Sequence, residues 1–353
     1  MSVNDNLRLS NILIKWYKSN KRDLPWRKTT DPYVIWISEI ILQQTRVDQG
    51  LSYFNRFISR FPNVRELAAA EENEVLKLWQ GLGYYSRARN LHAAAKVIVE
   101  EFDGKFPVEY KDVLSLKGIG EYTAAAIVSF SYKQPYAVVD GNVYRVLSRI
   151  FAIDIPINSG KGKKYFSELA QSLLNDNQPG LHNQAIMEFG ALQCVPISPD
   201  CQNCPASSIC MANTKNKVAS YPVKEKKQKT KVRYFNYFDI RENGYAFLHK
   251  RLKKDIWKGL YELPLIESEE ELSVDDLIKN GSFNVLLNND TEAEIKFIKK
   301  DKHILSHQII HARFYRVEVK KIIMHEDYIK IQEQEIDKYP VSRLVHKYLE
   351  DLQ

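Results

Sequence analysis

Apolar residues recur at helical spacing through the first two-thirds of the chain. They do so in Leu9-Ile12-Leu13-Trp16, Ile35 to Leu42, Leu67 to Leu78, Leu91 to Val99 and Tyr122 to Phe130, and each stretch predicts an amphipathic or buried helix. Breakers punctuate them: Pro25, Pro32, Pro62, Gly81-Leu82-Gly83, Pro107 and Pro135. The texture then changes. Arg233 to Leu248 and Phe314 to Val319 are rich in aromatic and β-branched residues with partial alternation, which predicts strands, and helical pattern returns near Val274 to Lys279 and Val341 to Leu352. Between the two textures runs Lys224 to Arg233, with six basic residues, one acid and nothing to bury, the composition of a solvated linker. The expected organisation is multidomain. An all-α domain over residues 1–220 is joined by a basic linker, residues 221–232, to an α+β domain over residues 233–353.

Length and charge narrow the picture a little. At 353 residues, two domains is the natural expectation, and 44% hydrophobic with 27% charged residues excludes a mainly disordered chain. The longest apolar run, Thr123 to Phe130, is far shorter than a membrane span, and Met1 to Ser10 is polar with no apolar signal core. A non-exported cytoplasmic protein with no membrane partner is expected. The net charge of +7 suits a polyanionic partner without demonstrating one.

All four cysteines, Cys194, Cys201, Cys204 and Cys210, fall within seventeen residues as C-x6-C-x2-C-x5-C. Such clustering argues for a metal or cluster site over disulfides. Zinc held by four thiolates usually uses two CxxC pairs. A single CxxC with longer arms suits the larger cube of a 4Fe–4S cluster better, though the spacing alone leaves both open. Four thiolate ligands leave no open position, so such a site is structural, and catalysis must lie elsewhere.

Leu116-Lys117-Gly118-Ile119-Gly120 sits between two helical patterns. Glycines at i and i+2 permit a tight turn and bare backbone N–H groups at a helix N-terminus, an anion site, although an ordinary helix–helix turn fits them equally. The following helix and Val139-Asp140-Gly141-Asn142-Val143 make the pattern that of a helix–hairpin–helix, which grips phosphate without reading sequence. Glu39 falls in an otherwise apolar helix, where desolvation raises a carboxyl pKa; a surface position on that helix is the bland alternative. Asp140 before Gly-Asn has the form of a helix N-cap.

Together with Leu24-Pro25-Trp26-Arg27, Asp31-Pro32-Tyr33, the stretch from Ser38 to Val47, Gly81 to Leu91 and the cysteine cluster, these motifs resemble the adenine DNA glycosylase (MutY) family from about Leu24 to Cys210. The resemblance implies a helix–hairpin–helix glycosylase domain with a 4Fe–4S lobe. It also implies a substrate, double-stranded DNA holding adenine opposite 8-oxoguanine or guanine, and a reaction, hydrolysis of the adenine N-glycosidic bond. Glu39 would protonate adenine at N7 and later help activate water. Asp140 would stabilise the oxocarbenium ion, with Tyr122 and Asn142 orienting it. Trp26, Arg27, Leu42 and Gln184 would line the adenine pocket, with Gln184 departing from members that carry Glu there. Gln44 and Tyr84 would enter the base stack, and Gly118 and Gly120 would hold phosphate. The four cysteines would bind the cluster.

The nearest enzymatic alternative, an endonuclease III-like pyrimidine-damage glycosylase/lyase, carries an attacking Lys two residues past the last hairpin Gly. Tyr122 stands there, so Schiff-base chemistry lacks its amine. A non-catalytic DNA-damage binding protein would not need both Glu39 and Asp140. In the second domain, Trp257 to Pro264 resembles a stretch of Nudix-like domains, but Glu269-Glu270-Glu271 lacks the metal-holding helix of Nudix hydrolases, which implies a reading domain. Leu305-Ser306-His307 matches a Phe-Ser-His loop that senses 8-oxoguanine, with Leu keeping an apolar wedge. His303, His307 and His311 could suggest metal by spacing, with no carboxylate pattern in support.

Overall fold

A computed structural model of the chain describes residues 3–225, 230–279 and 293–352, together with 281, 283 and 286, and side chains from residue 8 onward. Of the basic run, residues 226–229 lie outside the described residues. The chain divides into two compact units, Met1–Ala68 with Ala93–Lys226, and Ala69–His92 with Lys227–Gln353.

The first unit is helical. Its principal helices are α1 (Val3–Asn20), α2 (Pro32–Leu42), α3 (Val47–Arg60), α7 (Tyr110–Ser115), α8 (Glu121–Tyr132), α9 (Gly141–Ile150), α10 (Gly160–Leu173) and α11 (Pro179–Leu192). Between α3 and α7 the chain forms α4 (Val64–Ala69), α5 (Glu72–Leu78) and α6 (Ser86–Glu101). The apolar pattern from Leu67 to Leu78 is thus divided between α4 and α5, which a non-helical break separates. α2 opens on Pro32 behind an Asp31 cap whose carboxylate accepts from the Tyr33 N–H, and Ile35, Trp36, Ile37, Ile40 and Ile41 are all buried. Leu13, Val146, Leu147, Phe166 and Phe189 form the centre of a core drawn from α1, α9, α10 and α11. A glycine sets one of the helix contacts of this unit. A Cβ on Gly190 of α11 would stand 2.6 Å from Asn142 Cβ and 3.0 Å from the Asn142 carbonyl oxygen, so the bare glycine lets the start of α9 lie directly on α11.

The second unit holds a seven-stranded mixed sheet. β1 (Lys231–Glu242) turns through Asn243-Gly244 into β2 (Tyr245–Lys250). Both turn residues have positive φ, 48° and 83°, the conformation of a two-residue hairpin turn that Asn-Gly favours. The single stretch predicted from Arg233 to Leu248 is therefore two strands. β3 (Tyr261–Glu262) pairs antiparallel with the end of β2, and β4 (Leu265–Ser268) pairs antiparallel with β1. Helix α13 (Val274–Lys279) follows the predicted span. β5 (Glu294–Ile304) and β6 (Gln308–Glu318) form an antiparallel hairpin, β6 also runs parallel to β1, and β7 (Tyr328–Gln332) pairs with β2. The chain closes on α14 (Arg343–Glu350), where Tyr348 stacks on Phe314 at 4.4 Å between ring centroids.

Gly190→Ala should push the start of α9 away from α11. Overpacking of this kind costs about 1–3 kcal/mol, read as a lower urea midpoint of the helical unit.

Candidate active site

One cavity of about 190 Å³ in the helical unit is lined by Trp26, Arg27, Glu39, Leu42, Tyr122, Asp140, Asn142 and Gln184, with Arg22, Glu188 and others beside them. Eight positions scattered over 159 residues of sequence thus face one space. Trp26 and Arg27 come from a 3₁₀ turn (Pro25–Arg27), Glu39 and Leu42 from α2, and Tyr122 from the first turn of α8. Asp140 and Asn142 come from the start of α9, and Gln184 from α11.

The two carboxyls sit in different surroundings. Glu39 is 7% exposed, and its only side-chain hydrogen bond among the described residues is from the Tyr122 hydroxyl to Oε2, 2.7 Å, so Tyr122 engages Glu39 and not Asp140, the partner expected from the sequence. Burial raises its pKa to about 7. The Tyr122 bond and the more distant Arg27 charge pull down, and the Asp140 charge adds to the rise. Tyr122 is itself driven well above its ordinary range by burial and by the neighbouring carboxyls, so it remains a hydroxyl donor. Asp140 caps α9. Its Oδ1 accepts from the N–H groups of Asn142 and Val143, both at 2.8 Å, and its Oδ2 accepts from Asn142 Nδ2 at 2.8 Å. Burial raises Asp140 too, but those donors and the Arg145 charge oppose it. Glu39, which lacks such donors, is the group that takes up a proton first.

Arg145 ties this corner to the cysteine lobe. Its guanidinium donates to Asn142 Oδ1 (2.8 Å), to the Gly190 carbonyl (2.6 Å) and to the Cys194 carbonyl (2.8 Å). Sequence reasoning did not find it, although Arg145 lies on α9 one turn beyond Gly141. Glu188 was also missed. It accepts from Arg27 at 2.8 and 2.6 Å and from Arg22 at 3.0 and 2.6 Å. Burial works to raise its pKa, but the bonds from Arg27 and Arg22 outweigh that and hold the carboxyl at about 2. Its spacing of four from Gln184 on α11 was the available signal, since i and i+4 share a helix face. Buried Tyr17 donates from its hydroxyl to Gln184 Oε1 at 2.7 Å, which orients the amide, and Arg27 lies over the Tyr17 ring.

Gly118, at φ 85°, makes the hairpin turn, and extended Gly120 caps α8, where its exposed position leaves the helix N-terminus open to an anion. Gln44 lies just beyond α2, exposed and at φ 58°, outside the cavity lining. Tyr84 belongs to the other unit, 49% exposed at φ 49°. Left-handed backbone at two exposed non-glycine residues is strain of the kind that collects at binding sites. Cys194, Cys201, Cys204 and Cys210 line one pocket, with buried Arg149 donating to Cys194 Sγ at 3.4 Å. Among the described residues no group of three or more His, Cys, Asp or Glu side chains is placed so that it could hold a single metal ion.

In the second unit, Ser306 and His307 are exposed at the tip of the β5–β6 hairpin, with Ser306 Oγ 3.0 Å from His307 Nδ1. Leu305 turns inward onto the sheet core, while its neighbour Ile304 is 69% exposed. The three histidines do not gather. His303 packs against Trp257, and His311 stacks on Tyr234 across β1 and β6.

Residues 37–175 match the HhH-GPD superfamily of base excision DNA repair proteins, and residues 236–351 match the NUDIX domain. A thermostable thymine-DNA glycosylase superposes with TM-score 0.56 at 29% identity, over 60% of this chain and 98% of its own. Endonuclease III bound non-covalently to DNA superposes with TM-score 0.52 at 19% identity, over 61% and 99%. Fold and matches define a base-excision DNA glycosylase with an appended Nudix-like domain. An adenine DNA glycosylase from Buchnera aphidicola subsp. Acyrthosiphon pisum is 35% identical over 84% of this chain and 84% of its own length. That of Schizosaccharomyces pombe is 30% identical over 94% and 86%, and the Homo sapiens enzyme 42% over 57% and 38%. The chain belongs to the adenine DNA glycosylase family.

With Glu39 raised to about 7, its acid form is present below that pH and lost as pH climbs through it. Single-turnover base release should therefore fall about tenfold per unit on the alkaline side. Glu39→Gln should abolish that limb along with at least roughly 100-fold of the rate. An alkaline limb that persists in Glu39→Gln would assign the titration to another group.

Proposed function

We propose that this protein excises adenine mispaired with 8-oxoguanine, or with guanine, by hydrolysing its N-glycosidic bond. One observation carries the reading. A protonatable carboxyl, Glu39, and a carboxylate held by N–H donors, Asp140, face the same cavity in a chain whose relatives are adenine glycosylases. Departing adenine needs a proton, and the sugar left behind needs an anion. Glu39 gives its proton to N7 of the extruded base. The C1′–N9 bond breaks with its electron pair passing to the base, and the Asp140 carboxylate stabilises the oxocarbenium ion. Glu39, now ionised, accepts a proton from the water that adds to C1′. The Tyr122 hydroxyl holds Glu39 in place, and Asn142 holds Asp140. Extrusion from the duplex costs a few kcal/mol, offset by Gln44 and Tyr84 entering the stack, while the N-terminus of α8 at Gly118 and Gly120 grips phosphate without reading sequence.

Cys194, Cys201, Cys204 and Cys210 would hold a 4Fe–4S cluster. Zinc sites of four thiolates usually use two CxxC pairs, whereas a single CxxC with longer arms, its four cysteines lining one pocket, suits the larger cube. The cluster supplies folding, by closing the loop from Cys194 to Cys210. Iron analysis of protein purified without air should give about four irons per chain; stoichiometric zinc in a colourless preparation would refute the cluster.

Undamaged adenine alone cannot mark a mispair, so discrimination must come from the opposite base. The exposed Ser306-His307 tip offers hydroxyl and imidazole groups for that contact. The double variant Ser306→Ala/His307→Ala should lower the preference for 8-oxoguanine over guanine by roughly 5- to 150-fold, the worth of one lost set of hydrogen bonds at about 1–3 kcal/mol. Asp140→Asn should suppress base release by at least about 100-fold while DNA binding survives. Full preference retained by the tip variant would move lesion reading elsewhere.

A further inference from the structure

The sheet of the second unit has a face that is only half covered. Along β1 and β6, Phe238, Ile240, Tyr315 and Val317 are buried under α13 with Leu277. Nearer the hairpin tip the same face continues beyond α13. Strand register puts three rows of side chains there. Val232, Ile309 and Ile304 form the row nearest the tip; Tyr234, His311 and Lys302 come next; Asn236, Arg313 and Lys300 follow. Residues paired across strands share a face, and the alternate residues Phe235, Ile310 and Ala312 are buried on the opposite side, which confirms the assignment.

The rows differ in chemistry. The first is apolar and open, with Val232 45% and Ile304 69% exposed. In the second, the Tyr234 and His311 rings stack at 5.3 Å and 21°. The second and third rows line a cavity of about 310 Å³. Two carboxylates also border it, and both are engaged: Glu271 by Arg313, and Asp301 by Lys347 at 2.8 Å and Lys299 at 3.9 Å. Lys300 and Lys302 are exposed, and among the described residues neither makes an ion pair. Asn236, 2% exposed, spends its amide N–H groups on the Ile266 carbonyl and Ser268 Oγ, leaving its carbonyl oxygen for the cavity.

The geometry points to a second DNA contact on this face: a platform that takes the backbone and one base of the lesion-bearing strand where it runs on from the hairpin tip. Paired rings beside uncompensated ammonium groups are the combination that binds a nucleic-acid strand without regard to sequence. Lys300 and Lys302 would each neutralise a phosphate, the Tyr234–His311 pair would offer a surface to a base, and Ile304 would supply the apolar contact that inward-turned Leu305 does not. The proposal rests on the reading that the Ser306-His307 tip meets the strand opposite the extruded adenine.

The test separates the two. Binding of the full-length protein is measured against salt on a duplex whose target adenine carries a 2′-fluoro sugar. The electron-withdrawing fluorine disfavours the cationic sugar, so the bond survives the titration. Lys300→Gln/Lys302→Gln should weaken binding about tenfold near 0.1 M salt and make the log–log salt slope shallower by about two, one per lost phosphate contact. Preference for 8-oxoguanine over guanine should hold, and Lys300→Arg/Lys302→Arg should restore the parent slope. An unchanged slope and affinity in the glutamine variant would overturn the platform; so would lost preference at parent slope, which would make the face part of the lesion reader. Ser306→Ala/His307→Ala should do the reverse, losing preference at constant slope. If the tip variant keeps its preference, the lesion-reading assignment fails, whatever the lysine variants have done.

Discussion

Two buried carboxyls, Glu39 and Asp140, share one small cavity, and only one of them is supplied with backbone N–H donors. Burial pushes both upward, because a charged form loses hydration on leaving water. What separates them is hydrogen-bond supply. Asp140 heads a helix and receives the first free N–H groups of that helix, which prefer its ionised form. Glu39 lies in the middle of an apolar helix, whose own N–H groups are already spent, and receives only a tyrosine hydroxyl. The division between acid and anion follows from where on a helix each carboxyl stands.

The surroundings maintain that contrast. Glu188 is the third buried carboxylate of the cavity, and left unpaired it would repel the other two. Arg22 and Arg27 clamp it and keep it ionised. Its charge is thereby spent, and Arg27 is fixed between Glu188 and the Tyr17 ring at the pocket wall. On the opposite wall, Gly190 lets α9 approach α11, and Arg145 fills the junction with bonds to Asn142, Gly190 and Cys194. The loop that begins at Cys194 is thus one side chain away from the residue that orients Asp140. Its folding and the geometry of the anion are mechanically joined.

The second unit is built on a sheet instead of a helix bundle. Its sheet has one face filled by α14 and the aromatic stack of Tyr237, Phe314 and Tyr348. On that support a hairpin projects Ser306 and His307 into solvent, with Leu305 packed on the core and the His307 carbonyl accepting from the Lys231 N–H at the start of β1.

Much was legible in the sequence because it is local. Helical periodicity located α1, α2, α6 and α8, the Gly-Ile-Gly turn located the hairpin, and four clustered cysteines located one pocket, since each signal is written within a few turns of chain. Resemblance to a family brought eight distant positions to one cavity, a convergence that periodicity cannot state. Other features had no local signature. The break between α4 and α5 interrupts an unbroken apolar pattern. Asn243-Gly244 did carry a turn signal, but it sits inside a run of strand-forming residues that reads as one strand. Glu188, Arg22 and Arg145 look like ordinary surface charges until α1, α9 and α11 pack and bury them. Leu305 and Ile304 are equivalent apolar neighbours in sequence, and only the pairing of β5 with β6 decides which faces the core, because a one-residue step along a strand reverses the face. Sequence by itself determined which chemical groups were available and which helices carry them. Tertiary packing decided which carboxyl is starved of donors and which side chains reach solvent, because burial and strand register are properties of elements that meet across the chain.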